Sequence, residues 1–301
     1  MSGKRYFAGT KLNRMSKVEM IIREFPEANL IGNYYPSLLP DPIGSVVIGC
    51  AMGITQKYYH HLAEFFSECG YNALTFDFRG TGSSRPRSLR GYDVSLFDWA
   101  DDLKSALIFL KGVNTHLKLY FVGHSISSQL FGFVDKNATV DRAIFLASST
   151  GYWRDGLGAE KWKNLFLLSV VMPVSNLLWG FTNAKFFRQG ENYPKGPSLQ
   201  WRSWCLHPGY FDVALDNSNN FFSLYARPIS SFYFTDDPIA NAVTAKKLLT
   251  FYNKADVQLH PVRPEDFQQR RIGHTGFLSR KFKDSLWKKI VDTMQKESSG
   301  K

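Results

Sequence analysis

Short apolar runs alternate with longer amphipathic segments along most of the chain. Residues 45–49 and 73–76 are largely apolar runs, typical of strands that are buried on both faces of a parallel sheet. Between them, residues 55–69 place apolar side chains at helical spacing, and Gly70 follows as a residue suited to ending a helix. Because parallel strands need helical crossovers, this alternation predicts βαβ units and a mostly parallel sheet flanked by helices.

One long segment interrupts the alternation. The pattern breaks between residues 151 and 227, and five of the seven tryptophans lie there. We therefore predict a single α/β domain over residues 1–301, with an aromatic insertion at about residues 152–225, after the sixth strand of the fold. The other predicted elements are an antiparallel hairpin within 17–35, strands at 117–122, 140–147, 229–234 and 256–260, and helices at 96–111, 241–251 and 282–294.

A serine stands where one predicted strand gives way to a helix. Residues 123–127 read G-H-S-I-S, and a tight strand–turn–helix of this kind exposes a serine side chain at the edge of the sheet. The residues that flank the serine must be small. Gly123 fits this requirement, whereas Ser127 stands where the full pattern has glycine. Ser125 is therefore the candidate nucleophile, and a serine N-cap on an ordinary helix is the alternative.

A base and an acid follow in the order that such a site requires. His274 comes after the last predicted strand, and loops at the carboxyl ends of parallel strands form the functional edge of these sheets. Asp236 and Asp237 follow an earlier strand. We favour Asp237, directly before a proline, as the acid that orients the histidine; Asp236, or a turn that caps the next helix, is the alternative. The order Ser125, Asp237, His274 is the order found in α/β-hydrolases.

Two backbone amides are candidates for an oxyanion hole. One donor should be Ile126, directly after the serine, and the other should lie in the loop after the first parallel strand, where we choose Met52. A plain strand–helix turn is the alternative for that loop. No G-x-G-x-x-G or Walker pattern occurs there, so no nucleotide cofactor is predicted.

Composition narrows the range of functions. The chain is 44 % hydrophobic and 21 % charged, which favours a globular protein over a disordered one. The net charge is +11, but the lysines and arginines are scattered, which disfavours nucleic acid as a partner. Three widely spaced cysteines argue against a disulfide framework and a zinc site. The first seventeen residues are polar and basic, so together with the cysteines they predict free thiols in a cytoplasmic protein. No metal or organic cofactor is predicted.

Several further motifs match a known family, and they extend over nearly the whole chain. On these motifs the chain resembles predicted α/β-hydrolases of the serine aminopeptidase, lysophospholipase and monoacylglycerol-lipase group. The resemblance implies a triad of Ser125, Asp237 and His274 beneath a cap, although the family usually has glycine at the positions of Ser127 and Ser128. The matching segments are residues 51–53, 77–83, 123–125, 151–154, 200–205, 236–237 and 273–277.

The insertion bears on the substrate. Residues 165–172 form a dense apolar block, which as part of a cap would hold an apolar acyl chain. Two alternatives are that these side chains bury the cap against the sheet, or that they insert shallowly into a membrane surface. We therefore predict a serine hydrolase acting on a small-molecule carboxylic ester, lipid-like or a thioester. An acyltransferase and a non-catalytic binding protein of the same fold stay open, as does the oligomeric state.

Overall fold

The computed structural model describes residues 17–187, 190–215 and 220–296. Within these ranges eight strands form one sheet, and two short strands form a separate hairpin. The strands are β1 (Val18–Arg23), β2 (Leu30–Tyr35), β3 (Gly44–Gly49), β4 (Tyr71–Phe76), β5 (Leu119–His124), β6 (Arg142–Leu146), β7 (Phe181–Thr182), β8 (Tyr193–Pro194), β9 (Ile229–Phe234) and β10 (Val257–Val262). The helices are α1 (His60–Glu68), α2 (Leu96–Val113), α3 (Ile126–Leu130), α4 (Glu160–Phe166), α5 (Met172–Trp179), α6 (Lys195–Leu206), α7 (Asp212–Leu215), α8 (Ala242–Leu249) and α9 (Lys288–Gln295).

The main sheet has the strand order β1-β2-β4-β3-β5-β6-β9-β10. β1 pairs with β2, and β2 with β4, in antiparallel fashion, and every later pairing is parallel. The predicted mostly parallel sheet with an opening antiparallel hairpin is therefore confirmed. β3, β4, β5 and β6 are buried at every position, which explains why they are mostly apolar and lack a regular alternation with polar residues.

Helices cover both faces of this sheet. On one face, α1 and α9 contribute Leu62, Phe66 and Ile290 to a core layer that also holds Trp287. On the other face, α2 and α8 pack together with aromatic side chains of the insertion. The start of α2 is fixed by a capping box, in which Ser95 and Asp98 bond to each other's backbone amides. The carboxyl ends of the parallel strands are left free for loops.

The segment between β6 and β9 contains the predicted interruption. α4, a π-helical turn at Leu167–Val171 and α5 follow one another without a break, and the β7–β8 hairpin, α6 and α7 complete the segment. An aromatic cluster joins it to the body of the protein, where Phe133 contacts Trp204, Phe211 and Phe222 at ring-centroid distances of 5.3–5.8 Å. These contacts anchor the inner side of the insertion.

Candidate active site

The backbone at Ser125 is strained. β5 ends at His124 and α3 begins at Ile126, so Ser125 alone makes the turn, with φ 53° and ψ −115°. A residue with a side chain rarely adopts positive φ, and such strain persists only where the surroundings fix it. Here the Ser125 amide donates to the Leu146 carbonyl at 3.1 Å. The turn is also tightly packed, because a Cβ on Gly123 would lie 2.5 Å from the Ser128 hydroxyl.

The three residues predicted as a triad lie together. His274 Nε2 is 3.1 Å from the Ser125 hydroxyl, and His274 Nδ1 is 2.6 Å from Oδ2 of Asp237. A carboxylate only accepts hydrogen bonds, so Nδ1 carries the proton and Nε2 is free to accept from the serine. This is the arrangement in which a histidine can remove the proton of a serine hydroxyl.

Asp237 is fully buried, yet it is well partnered. Its second oxygen accepts from the amides of Ile239 at 2.9 Å and Ala240 at 3.1 Å. Burial acts to raise the pKa of this carboxyl, but His274 and the two amides outweigh it and hold the pKa below its usual value. The side chain therefore stays charged at neutral pH and can stabilise a positive charge on the histidine.

Its neighbour Asp236 has different partners. Both of its oxygens face the histidine loop, where they accept from the amides of Ile272 at 2.8 Å and Gly273 at 3.0 Å. Asp236 thus fixes the backbone that carries His274, whereas Asp237 contacts the ring itself. Between the two carboxylates weighed from the sequence, the geometry favours Asp237 as the residue that orients the histidine.

The loop after β3 and the start of α3 are neighbours at the same edge of the sheet. β3 and β5 pair in parallel with Gly49 opposite Gly123, so the turns that follow these two glycines lie side by side. Ile54 closes the first turn by donating to the Ala51 carbonyl at 3.1 Å, a bond that does not engage the Met52 amide. Ile126 is the first residue of α3, where an amide has no partner within the helix.

A buried hydrogen-bond chain behind the site escaped the sequence reasoning. The Ala51 amide donates to the Tyr59 hydroxyl at 2.8 Å, and this hydroxyl lies 2.6 Å from His124 Nδ1. His124 Nε2 lies 2.9 Å from the carbonyl oxygen of His274. Because a carbonyl only accepts, His124 carries its proton on Nε2 and accepts from Tyr59 at Nδ1. The chain joins the loop after β3 to the backbone of the histidine.

His124 is neutral in this position. Burial, followed by the nearby ring of His274, holds its pKa well below the usual value for histidine. The sequence places His124 directly before Ser125, in the run G-H-S-I-S, without indicating a role for it. A polar residue at the end of a fully buried strand was the signal that it needs partners inside the protein.

Other polar and sulfur groups lie apart from these residues. Among the described residues, the group with metal-ligand spacing is His60, His61 and Glu64 on α1, which includes none of the site residues above. The three cysteines are free thiols, as predicted. None of the helices in the described ranges combines the length and hydropathy that a bilayer crossing requires.

Comparison with known proteins identifies the family. The sequence model of the serine aminopeptidase S33 family, a group of hydrolases, matches residues 40–194, which is more than half of the chain. The chain belongs to this α/β-hydrolase family. No curated protein sequence matches it significantly.

Solved structures agree with this α/β-hydrolase fold. A soluble variant of monoglyceride lipase from Saccharomyces cerevisiae, in complex with a substrate analogue, is 15 % identical and has a TM-score of 0.67, covering 99 % of this chain and 100 % of its own. Monoacylglycerol lipase from Paleococcus ferrophilus is 12 % identical with a TM-score of 0.58, covering 88 % of this chain and 98 % of its own. A thermostable carboxyl esterase from Bacillus coagulans is 15 % identical with a TM-score of 0.56, covering 93 % and 97 %. At these identities the likeness shows the fold.

In this α/β-hydrolase, the serines at positions 127 and 128 have room because glycines lie opposite them. Ser127 packs against Gly49, where an added Cβ on the glycine would lie only 2.7 Å from the Ser127 Cβ, and Ser128 packs against Gly123. The Ser127 hydroxyl donates to the His124 carbonyl at 3.0 Å, and the Ser128 hydroxyl accepts from Ser148 at 2.7 Å. Both side chains are buried and bonded within the protein, so they fill space that the glycines leave.

Proposed function

We propose that the protein is a serine hydrolase of carboxylic esters, with Ser125 as nucleophile, His274 as general base and Asp237 as the orienting acid. The observation that carries the proposal is the continuous hydrogen-bond chain from the Ser125 hydroxyl through His274 to Asp237, with distances of 3.1 and 2.6 Å. The strained turn at Ser125 adds support, because strain of this kind clusters at active sites.

The mechanism follows from these positions. The Ser125 oxygen attacks the ester carbonyl while His274 takes its proton, and Asp237 stabilises the resulting imidazolium. The amides of Met52 and Ile126 stabilise the negative charge on the carbonyl oxygen. His274 then protonates the departing alcohol, which leaves an acyl group on Ser125. Water, activated by the same histidine, releases the acid and regenerates the serine.

We propose that residues 152–225 act as a cap and that the substrate is a small-molecule ester with an apolar acyl chain. The apolar character of the insertion supports an apolar acyl group over a charged peptide. The structural neighbours support the ester class, since they include a monoglyceride lipase in complex with a substrate analogue and a carboxyl esterase. Cytoplasmic localisation stays a prediction from the sequence.

A panel of p-nitrophenyl esters of increasing acyl length tests the proposal. We expect turnover that is highest for medium chains and absent from Ser125→Ala, while replacement of an exposed serine, Ser223→Ala, leaves the rate unchanged. Retained turnover in Ser125→Ala would refute the assignment. Product analysis with an added alcohol separates the two reaction types, because a new ester in place of the free acid would identify an acyltransferase.

A further inference from the structure

One face of the α4–α5 segment is apolar and faces outward. Its members recur at steps of three or four residues, which places them on the same side of a helical segment. Their exposed fractions range from 43 % to 83 %, with Leu177 the most exposed. We call this face the outer stripe, which consists of Trp162, Phe166, Val170, Val174, Leu177 and Leu178.

The opposite face of the same segment is apolar too, but the protein covers it. Leu168 and Met172 are buried in the core layer, and Asn176 is buried with them. The Asn176 amide donates to the Met172 carbonyl and to the hydroxyls of Thr182 and Ser198. A helix that is apolar on all sides is normally covered on all sides. Large exposed apolar patches mark surfaces that contact another phase or partner.

The charges around the outer stripe point to the kind of partner. No charged residue occurs between positions 164 and 184, and lysines bound this stretch at Lys163 and Lys185. Both are exposed, and each forms an ion pair, Lys163 with Glu160 at 2.5 Å and Lys185 with Glu191 at 2.6 Å. The Lys161 ammonium lies 5.7 Å from the centre of the Trp162 ring. Lysine side chains can reach from an apolar layer to phosphate headgroups, and tryptophan favours the boundary between the two. With a net charge of +11, this arrangement complements an anionic lipid surface.

We propose that the outer stripe docks the protein on the surface of an anionic lipid bilayer, with its apolar side chains inserted to a shallow depth. The proposal deepens the function proposed above, since it places the cap of the enzyme against the phase that holds apolar esters. A helical stripe with lysines at both ends suits a fluid lipid surface, because such a surface requires no partner of matching shape.

Co-sedimentation of the full chain with vesicles tests this docking. The vesicles contain phosphatidylcholine with about 30 % phosphatidylserine, or phosphatidylcholine alone. We expect binding to the anionic vesicles that falls about tenfold or more in the double variant Phe166→Ser/Leu177→Ser, because binding scales with the apolar area inserted. The matched control, Ile108→Ser/Val243→Ser, removes two apolar side chains that are 50 % and 55 % exposed elsewhere, and it should bind like the wild type.

A second pair of variants tests the contribution of charge. Lys161→Glu/Lys163→Glu should lose binding to anionic vesicles, whereas Lys288→Glu/Lys289→Glu, with the same change in net charge on α9, should retain most of it. Equal losses in both pairs would show that net charge alone attracts the protein and would overturn a role for the outer stripe.

The remaining outcomes separate docking from catalysis. Ser125→Ala should bind vesicles as the wild type does, because it removes only the proposed nucleophile and leaves the outer stripe unchanged. Failure of the proposed chemistry would therefore leave vesicle binding intact. Wild-type protein that stays in the supernatant with both kinds of vesicle would overturn the docking proposal. So would a dimer that Phe166→Ser/Leu177→Ser converts to a monomer, because the stripe would then be a protein interface.

Discussion

The carboxyl edge of the sheet and the outer stripe differ in how completely their groups are partnered. At the edge, Asp237 accepts three hydrogen bonds and both ring nitrogens of His124 are paired, although both residues are buried. On the outer stripe, Leu177 is 83 % exposed, so the protein covers little of its side chain. At the edge, hydrogen bonds therefore fix the positions of individual atoms, whereas the stripe only presents apolar area to its surroundings. Substitutions should affect the two regions in different ways.

The largest difference is expected between the two adjacent carboxylates at the edge. Asp237→Asn should lower kcat by about 10³- to 10⁴-fold, because the amide favours the wrong histidine tautomer and cannot stabilise its cation. Asp236→Asn should lower kcat by only about tenfold, since Asp236 holds the loop and its remaining carbonyl oxygen can still accept. Steady-state kinetics of both variants decides this. Equal losses would contradict the separate roles, and a larger loss in Asp236→Asn would exchange them.

The next prediction concerns the buried chain behind the site. Tyr59→Phe removes the hydroxyl that joins the Ala51 amide to His124, and it leaves both groups buried without a partner. The free energy of unfolding should fall by about 2–6 kcal/mol, as two buried polar groups lose their bonds at about 1–3 kcal/mol each. Urea denaturation measures the change. Tyr58→Phe is a matched control on the adjacent exposed ring and should stay within about 0.5 kcal/mol of the wild type.

The neutral state of His124 predicts a pH dependence of stability. Its folded pKa lies well below the value of about 6.5 in an unfolded chain, so the unfolded state binds a proton that the folded state excludes. Stability should therefore fall as the pH drops below about 6.5, with up to ~1.4 kcal/mol per pH unit from this residue. His124→Gln removes the titration, and its free energy of unfolding should vary less steeply between about pH 5 and 7. Parallel curves for the two proteins would contradict the assignment.

A smaller effect is expected where serine replaces the glycine of the family pattern. Ser128→Gly removes a hydroxyl that accepts from Ser148 and adds a flexible residue to α3, which together should cost about 1 kcal/mol of stability. Turnover should stay within about threefold of the wild type, because the hydroxyl bonds to Ser148 and not to the triad residues. A rise in turnover of about a hundredfold would show instead that the serine impairs the site.

The smallest effect is expected on the outer stripe. Leu177→Ser should change the free energy of unfolding by no more than about 0.5 kcal/mol, because little of the side chain is covered in the folded protein. Leu168→Ser, on the covered face of the same segment, should cost several kcal/mol through a cavity and a buried hydroxyl. Thermal unfolding compares the two. Similar losses would contradict the division of this segment into a covered and an uncovered face.

Local patterns were sufficient to predict the sheet and the order of the candidate site residues. Buried strands such as β3 and β5 consist mostly of apolar residues, and Ser125, Asp237 and His274 each follow a strand of the sheet. The separate partners of Asp236 and Asp237 could not be predicted, because both follow the same strand. The triad roles and the division into a domain and a cap at residues 152–225 stay predictions.

Two features depend on contacts that no local pattern reports. The Tyr59–His124 bond joins residues 65 positions apart, and the bond from His124 to the His274 backbone spans 150 positions. The apolar block at 165–172 was evident in the sequence, but the segment is apolar on both faces. Only packing against the core decides that Leu168 is covered and Val170 is not.

The most direct test of the central claim is labelling of the purified protein with a fluorophosphonate, which reacts covalently with an activated serine. The wild type should be labelled at one site, Ser125, and Ser125→Ala and His274→Ala should not be labelled although both remain folded by circular dichroism. Labelling of Ser125→Ala, or absence of labelling in folded wild-type protein, would contradict the assignment of Ser125 as an activated nucleophile.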